Sequence, residues 1–118
     1  MKLEFMQPII ERIAFMHARI GSRCCIQMPV GSCDGRADAD HGNGNYLADY
    51  RRMWSLTMSE WRRRAAPGDF LVFCPELLRP AIYYARLVPG PDGRPREESD
   101  RYAEALRYLE IARDCFAG

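Results

Sequence analysis

The stretch that decides the fold is Phe70-Leu-Val-Phe-Cys-Pro-Glu76, an apolar run that ends in a proline and a carboxylate. Residues Phe70 to Cys74 are uncharged and mostly bulky, which is typical of a strand buried on both faces of a parallel sheet. Within it, Cys74 is predicted to be a small buried apolar residue. Pro75 has no N–H to donate, so the strand is predicted to end there. Glu76 then lies at the C-terminal edge of the sheet, where α/β folds place their ligand chemistry.

An earlier stretch repeats this design. Ile13 to Ala18 is predicted to be the first strand, and His17 and Arg19 lie at its exit. His17 and Arg19 fall on the same side of this strand because side chains alternate with a period of two. If the two strands are neighbours, about 4.8 Å separates them, so side chains at both exits can reach one ion.

Two amphipathic helices are predicted. The first runs from Tyr46 to a stop at Pro67-Gly68, and steps of three and four residues define its buried face. This face comprises Tyr46, Tyr50, Met53, Trp54, Thr57, Met58 and Trp61. The second helix is predicted to begin after a cap at Ser99 or Asp100. Its predicted buried face comprises Tyr102, Leu106, Leu109, Ala112 or Arg113, and Phe116.

Long segments rich in turn residues separate each strand from the helix that follows it. Gly21 to Asn45 and Leu77 to Glu98 are both predicted to be loops, with a helical turn near Ala81 to Arg86 in the second. The order strand, long loop, helix therefore occurs twice with parallel strands, as in a TIM barrel, whose βα loops carry function. The chain has 118 residues, whereas a whole barrel needs about 250. We expect one incomplete domain, residues 1–118, of the α/β class.

Composition argues against several classes of protein. A net charge of +1 favours neither nucleic acid nor an anionic membrane as a partner. No apolar run reaches the length of a membrane span, and the N-terminal residues lack the apolar core of a signal peptide. We therefore expect a cytoplasmic protein with no membrane and no nucleic acid partner. Five cysteines without a C-x-x-C pair argue against a disulfide framework.

Two other groups of residues suggest ion sites. Cys24, Cys25, Cys33 and His41 share one loop, but their spacing matches no usual zinc pattern. Asp38 to Asp49 resembles a calcium loop, although a glycine stands where an oxygen ligand belongs. Turn formation is the preferred explanation of the second group.

One ordered set of features resembles the C-terminal part of the members of a known family. In chain order the set comprises His17-Ala-Arg19, Gln27-Met-Pro29, a Trp-bearing helix, Phe73-Cys-Pro-Glu76 and an amphipathic last helix. It is similar to the sugar phosphate isomerases/epimerases of the xylose isomerase-like TIM-barrel superfamily. The resemblance runs from about Ile9 to the end of the chain, and it covers the last two β-α units of the family's barrel. It implies a partial TIM barrel, a C-terminal portion that lacks the strands carrying the family's first two acidic ligands.

The resemblance also implies roles for three residues. His17 and Glu76 are expected to bind a divalent metal ion, Mn²⁺, Mg²⁺, Co²⁺ or Zn²⁺, and Glu76 is also expected to be the catalytic group in proton transfer. Arg19 is expected to bind the substrate, a small sugar or sugar phosphate. The implied reaction in carbohydrate metabolism is an aldose–ketose isomerisation or an epimerisation beside a metal-polarised carbonyl.

Two functions remain open from the sequence. One is the C-terminal part of such an isomerase or epimerase, expected to be inactive as an isolated chain. The other is a stand-alone small α/β module for binding or assembly, without catalysis. The exposed strand edges are expected to favour self-association or pairing with a missing barrel portion.

Overall fold

The two predicted strands form and lie next to each other. In the computed structural model, β1 (Phe15–Ala18) and β2 (Val72–Pro75) make a parallel two-stranded sheet. The register sets Phe15 opposite Val72 and His17 opposite Cys74. The structure describes residues 3–21, 26–30, 46–79, 85 and 87–118. In this part of the chain the fold is mixed α/β, as predicted, and it contains no closed barrel.

Among the described residues, three α-helices accompany the sheet: α1 (Gln7–Ile10), which follows a 3₁₀ helix at Glu4–Met6, α2 (Tyr46–Arg64) and α3 (Arg101–Ala117). The predicted cap of α3 is confirmed at Asp100, whose carboxylate accepts the N–H groups of Tyr102 and Ala103. This contact satisfies backbone donors that have no partner inside the helix.

The core lies between the helices and one face of the sheet. Met16 and Ala18 of β1 point into it, and Trp54 of α2 packs edge-on against Tyr108 of α3, with ring centroids 5.8 Å apart. The predicted buried face of α2 is largely confirmed, since Trp54 and Met58 are buried and Arg62 to Arg64 are exposed. The remaining buried members of the core are Ile20, Met28, Val30, Tyr46, Leu47, Ile111, Ala112 and Cys115.

The prediction that Phe70 to Cys74 is buried on both faces is wrong. Phe70 is 78% exposed, Val72 is exposed, and Cys74 is an exposed free thiol. The reason is that α2 and α3 cover one face of the sheet, and no described residue covers the other. The predicted end of the strand at Pro75 is confirmed. One further backbone bond follows it, from Glu76 N–H to the Ala18 carbonyl at 2.9 Å, so the Pro75 nitrogen points away from β1.

The predicted buried face of α3 is wrong at most positions, and Ala112 is its one fully buried member. Tyr102 and Leu106 are exposed, while Glu104 and Tyr108 are buried together with Ile111, Ala112 and Cys115. The helix is rotated relative to the prediction because its two buried polar side chains bind backbone N–H groups of the segment after β1. The carboxylate of Glu104 and the hydroxyl of Tyr108 are therefore satisfied inside the core.

Part of the loop predicted from Leu77 to Glu98 is a β-hairpin. β3 (Leu87–Pro89) pairs antiparallel with β4 (Pro95–Glu97) around a turn that contains Gly93 at a φ of 75°. The Pro-Asp-Gly sequence in this turn explains the hairpin, since glycine adopts a positive φ without steric cost.

Several predictions lie outside the described residues: the candidate zinc group, the greater part of the calcium-like loop and the helical turn near Ala81 to Arg86 except Ala85, which forms an isolated parallel bridge with Gln27. Among the helices that the structure does describe, none combines the length and apolar character needed to cross a bilayer.

Candidate functional site

His17, Arg19 and Glu76 meet at the C-terminal ends of the two parallel strands. The last register pair is Ala18 with Pro75, so Arg19 and Glu76 are the next pair along the sheet. The backbone bond from Glu76 N–H to the Ala18 carbonyl extends the ladder by one step and fixes the position of the Glu76 backbone. The sequence therefore predicted correctly which side chains would share this edge.

Arg19 binds Glu76 through two of its guanidinium nitrogens. Nη2 lies 2.8 Å from the carboxylate oxygen Oε1, and Nε donates to the backbone carbonyl of Glu76 at 3.2 Å. Arg19 thus holds the Glu76 carboxylate through one of its two oxygens, Oε1. The Arg19 side chain is only 19% exposed, which means that its guanidinium is held in place beside the strand ends.

The second oxygen of Glu76 faces His17. Oε2 lies 3.9 Å from Nδ1 of the imidazole, beyond direct hydrogen-bond distance, and the two side chains are 39% and 55% exposed. The His17 ring packs edge-on against Phe15, two residues earlier on the same face, with centroids 4.6 Å apart. One carboxylate oxygen and one imidazole nitrogen therefore face each other at an open edge.

These two atoms lie close enough together for both to reach one divalent metal ion. Donors bonded at about 2.0–2.2 Å to one ion can lie at most about 4.4 Å apart, and the 3.9 Å between Nδ1 and Oε2 satisfies this. Within residues 3–21, 26–30, 46–79, 85 and 87–118, however, no group of three or more His, Cys, Asp or Glu side chains is placed to hold an ion. His17 and Glu76 thus form a two-donor set, and useful sites normally have three or four ligands.

Gln27 joins the segments that follow the two strands. Its side-chain oxygen accepts the N–H of Leu78 at 2.7 Å, and its amide nitrogen donates to the Leu78 carbonyl at 3.2 Å. Leu78 lies two residues after Glu76, and Gln27 is buried. This two-point contact restrains the backbone after Glu76 in the way a neighbouring strand would.

Helix α3 holds the chain that follows Arg19. Ile20 N–H donates to the Tyr108 hydroxyl at 2.8 Å, and Val30 N–H donates to Oε2 of Glu104 at 2.7 Å. Burial raises the pKa of the Tyr108 phenol well above its usual range, so the hydroxyl stays neutral. Both bonds are buried, and they restrain the backbone at Ile20 and at Val30.

Sequence reasoning missed these three supporting residues. Gln27 belongs to the motif that carries the resemblance, but it was given no role. Glu104 and Tyr108 stand four residues apart on the helix, so they lie on one face. The signal available in the sequence was a carboxylate, Glu104, four residues before a tyrosine, Tyr108, on an otherwise apolar helix face.

At the level of class, the described residues define a small mixed α/β fold whose parallel strand ends bring together a histidine, an arginine and a glutamate. Comparison of the chain with protein-family models, curated proteins and solved structures gives no match.

Proposed function

We propose that this chain supplies the last two β-α units of a metal-dependent sugar or sugar phosphate isomerase/epimerase, built as a xylose isomerase-like TIM barrel. The observation that supports the proposal is the meeting of His17, Arg19 and Glu76 at two neighbouring parallel strand exits. Chance placement of an imidazole, a guanidinium and a carboxylate at the functional edge of such a sheet is the competing explanation.

In the proposed site, His17 and Glu76 are two of the ligands of a divalent ion. Bound there, the ion would supply Lewis-acid polarisation of the substrate carbonyl. The remaining ligands would come from strands beyond β1 and β2, since two protein donors give a weak site.

Glu76 is the proposed proton carrier. A carboxylate oxygen would take the proton from the carbon beside the substrate carbonyl and, in an isomerisation, return it to the neighbouring carbon on the same face. In an epimerisation, a second acid on the opposite face of the substrate, from outside these two β-α units, would supply the returning proton. Arg19 holds Oε1 at 2.8 Å, which keeps Oε2 directed toward the open edge. The guanidinium is also placed to donate hydrogen bonds to a sugar hydroxyl or phosphate oxygen.

Metal binding tests the proposed ligands directly. Titration of the purified chain with Mn²⁺, followed by electron paramagnetic resonance, is expected to reveal weak binding that His17→Ala and Glu76→Gln each reduce by about tenfold or more. Glu110→Gln is the matched control, because Glu110 is an exposed carboxylate of α3 that pairs with Arg107. Equal binding by all four proteins would contradict the ligand assignment.

The isolated chain is expected to have no isomerase activity. With Mn²⁺ present, incubation with a ketose phosphate or a free ketose should give no aldose product, because the ligand set is incomplete. Turnover by the purified 118-residue chain would contradict this part of the proposal.

A second candidate is a stand-alone α/β module in which these residues serve structure alone. The double contact of Arg19 with Glu76, which ties the two strand exits together, favours it. A partly exposed pair of this kind contributes about 1 kcal/mol or less to stability. If His17→Ala leaves Mn²⁺ binding unchanged while Arg19→Ala lowers stability, the structural module is the better description.

A further inference from the structure

We propose that Gln27 is a positioning residue for the candidate site. It fixes the peptide plane after Glu76 and thereby the direction of the Glu76 carboxylate. Where it concerns a metal ion, this inference rests on the proposed function. Gln27 lies in the segment after β1 and is only 5% exposed. Its side chain reaches the segment after β2, where it binds both backbone groups of Leu78.

The backbone around Gln27 is itself held in place. The next residue, Met28, donates its N–H to the Ile20 carbonyl at 2.8 Å. One residue further on, the Pro29 carbonyl accepts a buried hydrogen bond from the Tyr46 hydroxyl at 3.0 Å. A side chain can position a segment distant in sequence only if its own backbone is restrained, and these two contacts meet that condition.

The peptide group between Glu76 and Leu77 lies between two fixed points. On one side, Glu76 N–H donates to the Ala18 carbonyl at 2.9 Å. On the other side, Gln27 accepts the Leu78 N–H at 2.7 Å and donates to the Leu78 carbonyl at 3.2 Å. Because each peptide group is planar, few soft torsions separate these points. Restraining both points therefore leaves the Glu76 carbonyl little freedom to turn.

Arg19 links the position of this carbonyl to that of the carboxylate. Its Nε donates to the Glu76 carbonyl at 3.2 Å, and its Nη2 lies 2.8 Å from Oε1. A guanidinium is planar and rigid, so both contacts exist together only if the carbonyl and the carboxylate keep their relative positions. With Oε1 held in this way, Oε2 faces Nδ1 of His17 at 3.9 Å. Turning the peptide plane would break one Arg19 contact and release Oε2 from this direction.

The space around Gln27 leaves little room for water to replace its amide. The cavity that Gln27 lines has a volume of about 10 Å³, at the lower limit for a single water molecule. A substitute of similar length without an amide therefore leaves the Leu78 N–H and carbonyl without these partners. Methionine is unbranched and fills irregular space well, so Gln27→Met removes both hydrogen bonds with little change in packing.

The Nε–H group of Arg19 reports the site geometry without any metal. Its hydrogen bond to the Glu76 carbonyl is expected to give a protected signal in nitrogen–proton correlation spectra, which Arg19→Lys identifies by its disappearance. Gln27→Met is expected to shift this signal and to speed the exchange of the proton with water. An unchanged signal in the folded variant overturns the proposal.

Gln27→Glu grades the effect. Its carboxylate keeps the length of the side chain and an acceptor for the Leu78 N–H, but an ionised carboxylate cannot donate to the Leu78 carbonyl. The Arg19 signal should therefore move, and by less than in Gln27→Met. Circular dichroism checks the folding of each variant. If Gln27→Met does not fold, the signal in Gln27→Glu decides, and its failure to move overturns the proposal.

Two control variants separate positioning from loss of stability. Asp69→Ala removes the side-chain acceptor of the Ala66 N–H at 2.7 Å, before the start of β2 and at the opposite end of the strand from the site. Gln7→Met changes an exposed glutamine of α1. Neither control is expected to move the Arg19 signal. If Asp69→Ala moves it as far as Gln27→Met does, the proposal is overturned.

Titration with Mn²⁺ measures the effect on the proposed metal site. Gln27→Met is expected to weaken binding by about tenfold, the lower end of the losses caused by removing groups that orient metal ligands. Asp69→Ala is expected to leave binding unchanged, and equal weakening by the two variants would contradict the role of Gln27. If the original chain binds no Mn²⁺, the proposed ligand set fails, and the Arg19 signal alone decides whether Gln27 positions Glu76.

Discussion

Replacing Tyr108 with phenylalanine isolates the contact through which α3 holds the segment after β1. Tyr108 and Ile20 are both 0% exposed, and the tyrosine hydroxyl accepts the Ile20 N–H at 2.8 Å. The substitution removes one oxygen and leaves the ring against Trp54. The change in stability therefore reports the hydrogen bond rather than a change in ring packing.

The expected loss follows from the burial of the donor. Ile20 N–H would be left without its acceptor in a site that the structure shows closed to bulk water, and an unsatisfied buried donor costs about 1–3 kcal/mol. This corresponds to an increase of about 5- to 150-fold in the equilibrium constant for unfolding. A loss of this size is a large fraction of the total stability of a typical domain, about 5–15 kcal/mol.

Urea unfolding followed by tryptophan fluorescence measures this loss. The midpoint should fall while the slope of the free energy against urea stays constant, since the surface exposed on unfolding hardly changes. All proteins are compared at one concentration because association shifts apparent stability. Tyr102→Phe is the control, because Tyr102 is on the same helix and 83% exposed. A loss for Tyr108→Phe no greater than that for Tyr102→Phe would refute the reasoning.

Three other outcomes are expected. Trp54→Ala should cost about 3–5 kcal/mol in urea unfolding, because Trp54 is a buried ring at the centre of the core and its removal leaves a cavity. Asp100→Ala should cost about 1 kcal/mol through loss of the α3 cap, whereas Asp100→Ser, which keeps a capping oxygen, should cost far less. Because the pKa of Tyr108 is raised by burial, the unfolded chain loses this proton first. The contribution of Tyr108 to stability is therefore full below about pH 10 and falls above it, and Tyr108→Phe should reduce the alkaline loss seen in unfolding curves measured across that range.

The positions of the site residues were predictable because they depend on local features of the chain. Apolar runs end at defined residues, and strand exits of parallel neighbours meet at one edge. Hence the sequence predicts that His17, Arg19 and Glu76 lie together, and in the structure the Glu76 carboxylate lies 2.8 Å from Nη2 of Arg19 and 3.9 Å from Nδ1 of His17. Their chemical roles remain predictions.

Burial was predicted less well because it depends on what covers each element. Phe70 and Cys74 have the composition of a strand between two layers, but described residues cover only one of their faces. In α3, the apolar pattern alone favoured Tyr102 and Leu106 as core residues. The buried face is instead the one whose polar groups find backbone partners, as Glu104 does with Val30, and such distant partners leave no local signal in the sequence.

The exposed face of the sheet carries part of the candidate site. His17 shares this face with Phe15 and lies opposite Cys74. A strand that pairs with the outer edge of β1 or β2 extends the same face, and its own C-terminal exit then lies beside His17 or Glu76. Any further ligand from a neighbouring strand must therefore arrive through edge pairing. This requirement applies if His17 and Glu76 bind a metal ion as proposed.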